Sequence, residues 1–304
     1  MKFIARKGAP NIPLELIEAQ ESEKLIFFCG AGVSYSAGLP VFYGLVENVF
    51  NNIGIKKNET EVEAIKSAFY DRALGLLEAR IVGRGNPEIN QVRKAIIEEL
   101  TLKSGANLQN HKILLQLSKT ANKKYRLVTT NFDHGFLKAD PAIKDIIDYA
   151  PKLPVPKPHK WNSVVHLHGI IDVDNDSNGG NLVFTSGDFG TAYLTERWAS
   201  KFVTELFSHF TVLFVGYGVN DPVIRYITDA IAAERLRGYE VFKQPYIFAR
   251  TKPSERSANE NLWMAKGIEP ILYEYSHSNL YNSLEEWWNY IKDGLNAKAR
   301  IVAK

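Results

Sequence analysis

The chain has 304 residues, of which 45% are hydrophobic, enough to bury a substantial core. Its 37 basic and 34 acidic residues leave a net charge of +3 with no long run of one sign, so no direct nucleic-acid binding is expected. The single cysteine, Cys29, excludes an internal disulfide and a cysteine-built zinc site and fits a reducing cytoplasm.

The N-terminal stretch is interrupted by prolines and lacks the apolar core of a secretory signal. Phe210–Val219 is the longest apolar candidate, but it contains two glycines and falls well short of the roughly 20 residues a spanning helix needs. No membrane partner is expected, and the localisation read from the sequence is cytoplasmic.

Residues Lys24–Pro40 read KLIFFCGAGVSYSAGLP, an apolar strand running into a glycine-rich turn. Gly30 and Gly32 permit a tight turn and close ligand approach, and the amides of the helix that follows are expected to be free to face an anion. The turn departs from the dinucleotide fingerprint at Tyr35, and Leu39 after Gly38 departs from the phosphate loop of nucleotide triphosphatases. A purely structural turn stays open as an alternative. Between 41 and 105 no convincing strand occurs; helical spacing over Glu61–Ile81 and Pro87–Leu100 predicts a helical insertion.

A helix is predicted over His111–Leu117, then a buried strand at Arg126–Thr129 that leads into Asn131 and Asp133. In an open parallel sheet these polar side chains belong to the ligand crevice; helix capping is the alternative role. Further strands are predicted at Asp145–Tyr149, Ser163–His168 and Leu182–Phe184, separated by the proline-restricted 151–158 and an Asn/Asp/Gly turn at Val173–Asn181. Strand alternation puts His166 and His168 on one face. Two histidines without a clear third ligand make a poor metal site, so none is expected. His166 reads as a satisfied buried histidine, whereas His168, followed by Gly169, is placed to enter the crevice as a general base of near-neutral pKa.

A helix over Thr195–Phe210 precedes the strand Thr211–Gly216, which again ends in a glycine turn, with Asp221 reading as cap of a helix over Pro222–Arg235. Strands at Gln244–Ala249 and Pro270–Tyr273 and a helix at Leu280–Leu295 complete the chain. Short continuous apolar strands alternating with helices predict an α/β fold: a Rossmann-like, doubly wound, mostly parallel sheet with a small helical insertion lobe.

Four motifs in order resemble the sirtuin family: Gly30-Ala31-Gly32-Val33-Ser34 with Ala37-Gly38-Leu39-Pro40, Thr129-Thr130-Asn131-Phe132-Asp133, Leu167-His168-Gly169, and Gly216-Tyr217-Gly218. The resemblance spans roughly residues 20 to 290, and Asn110-His111 resembles the family's Asn-His helix start. It implies His168 as catalytic base on the ribose of NAD, Asn131 orienting ribose and water, and Asp133 supporting it. It also implies Gly30, Ala31, Gly32 and Ser34 at the pyrophosphate, Thr130 among the binding positions, and Gly216, Tyr217 and Gly218 at the adenosine side.

The departures are informative. The four zinc cysteines of deacylating sirtuins are missing, so neither a zinc ribbon nor a bound metal is expected, and Val41-Phe42-Tyr43 replaces the family's Asp-Phe-Arg. SGDFGTAYLTERWA and VGYGVNDPVIRY are similar to zinc-free sirtuins of bacterial antiphage defence. That resemblance implies an NAD hydrolase that depletes NAD in abortive infection, assembles as a homo-oligomer and is triggered by a phage protein. Residues 1–304 are then one catalytic domain, with the insertion at about 41–105 and a C-terminal sensor region lying beyond the sequence. An NAD-dependent protein deacylase and a non-catalytic NAD- or ADP-ribose-binding domain are the alternatives.

Overall fold

The computed structural model describes residues 7–82, 90–171, 182–228 and 242–302. The turn at Val173–Asn181 and parts of the helices predicted over Pro87–Leu100 and Pro222–Arg235 lie outside the described residues. Strands β1 (Leu25–Cys29), β2 (Arg126–Thr129), β3 (Ile147–Tyr149), β4 (Ser163–His166), β5 (Thr211–Val215), β6 (Tyr246–Thr251) and β7 (Glu269–Glu274) form one sheet in the order β3-β4-β2-β1-β5-β6-β7. Every paired neighbour runs parallel.

Parallel strands covered on both faces need apolar residues at every position, and β1 (LIFFC) is buried throughout. Ile26, Phe28, Val128, Val165 and Phe214 face one layer, which contains Phe202 and Leu206 of the helix Trp198–His209. Phe27, Cys29, Leu127, Val164 and Val215 face the other, against Leu114 of the helix Gln109–Leu117 and Leu284 and Trp287 of the helix His277–Val302. The period of two thus sorts the central strands between two cores.

The insertion forms a third core. Helix α1 (Leu14–Glu21) precedes β1, and helices α2 (Phe42–Ile53), α3 (Glu59–Lys66), α4 (Tyr70–Val82) and α5 (Gln91–Glu99) pack around Val46, Val49, Leu74, Leu77 and Ile96, joined by Phe184 from the sheet side. The continuous helix expected over Glu61–Ile81 is broken: Ala68, at φ 57°, turns the chain between α3 and α4. Arg93 of α5 ties the lobe together by pairing with Glu78 and Asp188, each at 2.7 Å.

Other local expectations shift. The helix after the glycine turn is 3₁₀, Ala31–Ala37, and Pro141–Ile146 is also 3₁₀, which shortens β3. Leu182–Phe184 forms no ladder strand; Val183 N–H donates to the His168 carbonyl at 3.1 Å, and Thr185 then caps the helix Ser186–Gly190. Among the described residues no helix is long and apolar enough to cross a membrane.

Candidate active site

The sheet order reverses at β1, whose neighbours β2 and β5 carry the chain away in opposite directions. Such a switch point leaves a crevice at the carboxyl ends of the strands. Here the turn after β1 meets the turn after β5: Gly32 N–H donates to the Gly216 carbonyl at 2.9 Å, and Gly216 has φ 80°. A Cβ on Gly32 would lie 2.9 Å from Gly216 Cα, so both glycines are needed for the turns to touch.

Backbone amides of the turn take part in holding it. Gly30 N–H donates to the Val215 carbonyl at 2.9 Å and Val33 N–H to the Gly30 carbonyl at 3.0 Å. With Gly32 also engaged, three backbone amides of the turn, two of them from the helix expected to face an anion, are held inside the protein. Tyr217 packs its ring over Gly30; its hydroxyl meets Thr130 Oγ1 at 2.7 Å and donates to the Cys29 carbonyl at 3.1 Å.

A cavity on the lobe side of this contact is lined by Ala31, Ser34, Thr130, Asn131, Asp133, His168 and Asp221. A larger cleft, about 790 Å³ against 70 Å³, is lined by Gly32, Gly216, Tyr217, Gly218, Arg250 and Tyr273 among others. The site residues singled out in the sequence, Gly30 excepted, therefore fall on these two hollows.

Asn131 is held from four directions. Its amide N–H donates to Thr129 Oγ1 (3.0 Å), its side-chain Nδ2 to the Gly30 carbonyl (3.1 Å) and to Ser34 Oγ (2.9 Å), and its carbonyl accepts from His166 Nδ1 (2.8 Å). Asp133 Oδ2 accepts from Ser34 Oγ at 2.8 Å, while Oδ1 accepts the Gly135 amide at 2.7 Å, a helix-capping contact. His111 Nε2 lies 3.1 Å from Ser34 Oγ and 3.9 Å from Asp133 Oδ1. Burial lowers the His111 pKa against the pull of Asp133.

His166 and His168 do not share a face. The strand ends at His166, and the turn closed by Gly169 N–H on the His166 carbonyl (3.2 Å) swings His168 toward Phe189 and Tyr193. His168 Nε2 lies 3.0 Å from the Tyr193 hydroxyl. Its pKa is not near neutral: burial pushes it down to about 3 and that of His166 to about 4, so both rings are uncharged. Burial raises Asp221 to about 7, with its Oδ1 accepting the Val223 amide at 2.9 Å as a cap.

Residues 125–271 match the SIR2-like domain. The chain is 29% identical over 97% of its length to the uncharacterised protein y4cA of Sinorhizobium fredii, and 25% identical over 92% of its length to the NAD(+) hydrolase ThsA of Bacillus cereus. The chain spans 25% and 56% of those relatives' own lengths. Solved structures of a Sir2 homologue–NAD complex (13% identity, 95% of this chain and 97% of that one, TM-score 0.46) and of Sir2 with the inhibitor EX-527, 2′-O-acetyl-ADP-ribose and a deacetylated p53 peptide (15%, 93% and 99%, 0.42) are also similar.

Tyr193, Asp221 and the His111–Ser34 contact adjoin or line this site, and none of them has a part in it from the sequence alone. Tyr193 lies on a π-helical turn, Thr191–Thr195, within a segment that carried no periodic signal. Asn110-His111 was a visible signal, but its contact with Ser34 joins positions 77 residues apart. Among the described residues no group of three or more His, Cys, Asp or Glu is placed to hold a metal.

Proposed function

We propose that this chain is an NAD glycohydrolase, cleaving NAD to nicotinamide and ADP-ribose. The observation that carries the reading is the convergence of Asn131 and His168 on one cavity at the switch point of a SIR2-like sheet. The relative named as an NAD(+) hydrolase supports it.

In this reading the bond from ribose C1′ to the nicotinamide nitrogen breaks, nicotinamide leaves with the electron pair, and positive charge develops on the sugar. A water then adds at C1′ and gives up one proton. Burial keeps the His168 imidazole uncharged, so it does not repel the developing cation. The carboxyl group of Asp133 lines the same cavity and favours positive charge there. Gly216, Tyr217 and Gly218, on the larger cleft, belong to the adenosine end.

The wider role proposed is NAD depletion in antiphage abortive infection, with a phage protein as trigger, a homo-oligomeric cytoplasmic assembly, and a sensor region beyond residue 304. The segments SGDFGTAYLTERWA and VGYGVNDPVIRY support it by resemblance. The deciding experiment is a time course of NAD loss and product identity with no acylated peptide present. Equimolar nicotinamide and ADP-ribose support the glycohydrolase; strict dependence on an acylated peptide identifies a deacylase, and NAD binding without turnover a regulatory domain.

A further inference from the structure

Ser34 Oγ has one hydrogen and two lone pairs to share. At 2.8 Å from Asp133 Oδ2, a carboxylate that can only accept, it donates its hydrogen. Asn131 Nδ2, at 2.9 Å, can only donate, and takes the first lone pair. His111 Nε2, at 3.1 Å, is left with the second, so it too donates and the ring carries its proton on Nε2. His111 Nδ1 accordingly has no hydrogen-bond partner among the described residues. The hydroxyl is saturated, and Ser34 is only 2% exposed.

The same reasoning fixes Asn131. The Gly30 carbonyl can only accept, so the amide nitrogen of Asn131, not its oxygen, faces it at 3.1 Å. The second Nδ2 hydrogen goes to Ser34. Both donors are spent within the protein, and Oδ1 is what the carboxamide retains for a ligand in the cavity that Asn131 lines.

We propose that Ser34 is a positioning residue that locks the Asn131 carboxamide with its oxygen available to substrate, and is not a ligand for the NAD phosphates. The inference rests on the reading of Asn131 as the residue that orients ribose and water. A serine that bound phosphate through its hydroxyl would have to give up one of three bonds formed in a buried network.

The test combines side-chain amide exchange with kinetics on the full chain. The Asn131 carboxamide resonance, identified by its loss in Asn131→Ala, is expected to exchange about tenfold faster or more in Ser34→Ala. The same variant is expected to lose about tenfold or more in kcat with KM for NAD within about twofold, and to add no further loss of kcat in an Asn131→Ala background. Ser34→Cys, which replaces a strong acceptor by a weak one in the same place, gives the same pattern at smaller amplitude and decides the matter if the alanine variant does not fold. Unchanged amide exchange, or a KM about tenfold higher with kcat preserved, overturns the proposal. If the parent chain consumes no NAD, the glycohydrolase reading fails by itself, and the exchange measurement still decides whether Ser34 locks Asn131.

Discussion

The Tyr193 hydroxyl lies 3.0 Å from His168 Nε2, and the two rings meet edge to face at 82°. Tyr193 also stacks with Phe189 and Tyr226, so its own orientation is set by an aromatic layer. Removing the hydroxyl alone leaves that layer intact and strips His168 of a buried partner. Tyr193→Phe is therefore expected to lower stability by about 1–2 kcal/mol in urea titrations and to reduce NAD turnover by loosening the imidazole. Unaltered stability and turnover would show the contact to be idle.

Asn131→Asp preserves shape but not chemistry. A carboxylate cannot donate to the Gly30 carbonyl, 3.1 Å from Nδ2, and places like charge beside Asp133 in the buried Ser34 network. Turnover is expected to fall by about a hundredfold or more, a loss comparable to that of a positioned catalytic group. Nicotinamide release by the two proteins at matched concentration is the measurement; turnover within a few-fold of the parent would discount the donor role of Nδ2.

Acid should destabilise the fold through its buried histidines. His166 and His168 bind protons near pH 6.5 when unfolded but only near pH 4 and 3 in the native chain. Their contribution is fully present above pH 6.5 and is lost as pH falls toward those values, by up to about 1.4 kcal/mol per pH unit for each ring. Urea midpoints between pH 7 and 4.5 check this, and His166→Asn should flatten the slope.

Asp221 behaves in the opposite sense. Its pKa rises from 3.8 to about 7 on folding, because burial outweighs the attraction of Arg225 and Asp71 adds repulsion. The protonated carboxyl contributes stability below about pH 4 that is lost as pH rises through 7. Asp221→Asn keeps an acceptor for the Val223 amide and is expected to be more stable than the parent at pH 8 by on the order of 1–2 kcal/mol, with the gap closing toward pH 5. Parallel pH profiles of the two proteins would refute the shift.

Gly135 is confined by the same network. A Cβ there would lie 2.3 Å from His111 Nε2 and 2.6 Å from Asp133 Oδ1. Gly135→Ala is expected to cost about 2 kcal/mol or more through displaced buried polar groups, whereas Gly190→Ala, whose Cβ meets nothing within 4 Å, should be neutral or slightly stabilising. Thermal melts of the pair separate a packed glycine from an open one.

The sheet was legible in the sequence because each central strand is a short, continuous apolar run, and burial on both faces demands that locally. The turn at Gly30–Gly38, the Asn131–Asp133 segment and His168 were legible for a related reason: polar and glycine residues directly after buried strands fall at the crevice of such a sheet. The partners of those residues were not. Ser34 meets Asp133 across 99 positions, Asn131 meets Gly30 across 101, and Tyr193 reaches His168 from a π-helical turn. A hydrogen bond has a single donor and a limited number of lone pairs, so whether a hydroxyl or amide is free depends on which chain segments are brought beside it. The sequence by itself determined that a polar site forms where the strands end; only the tertiary structure decided which of its groups are spent holding the site together and which remain for a ligand.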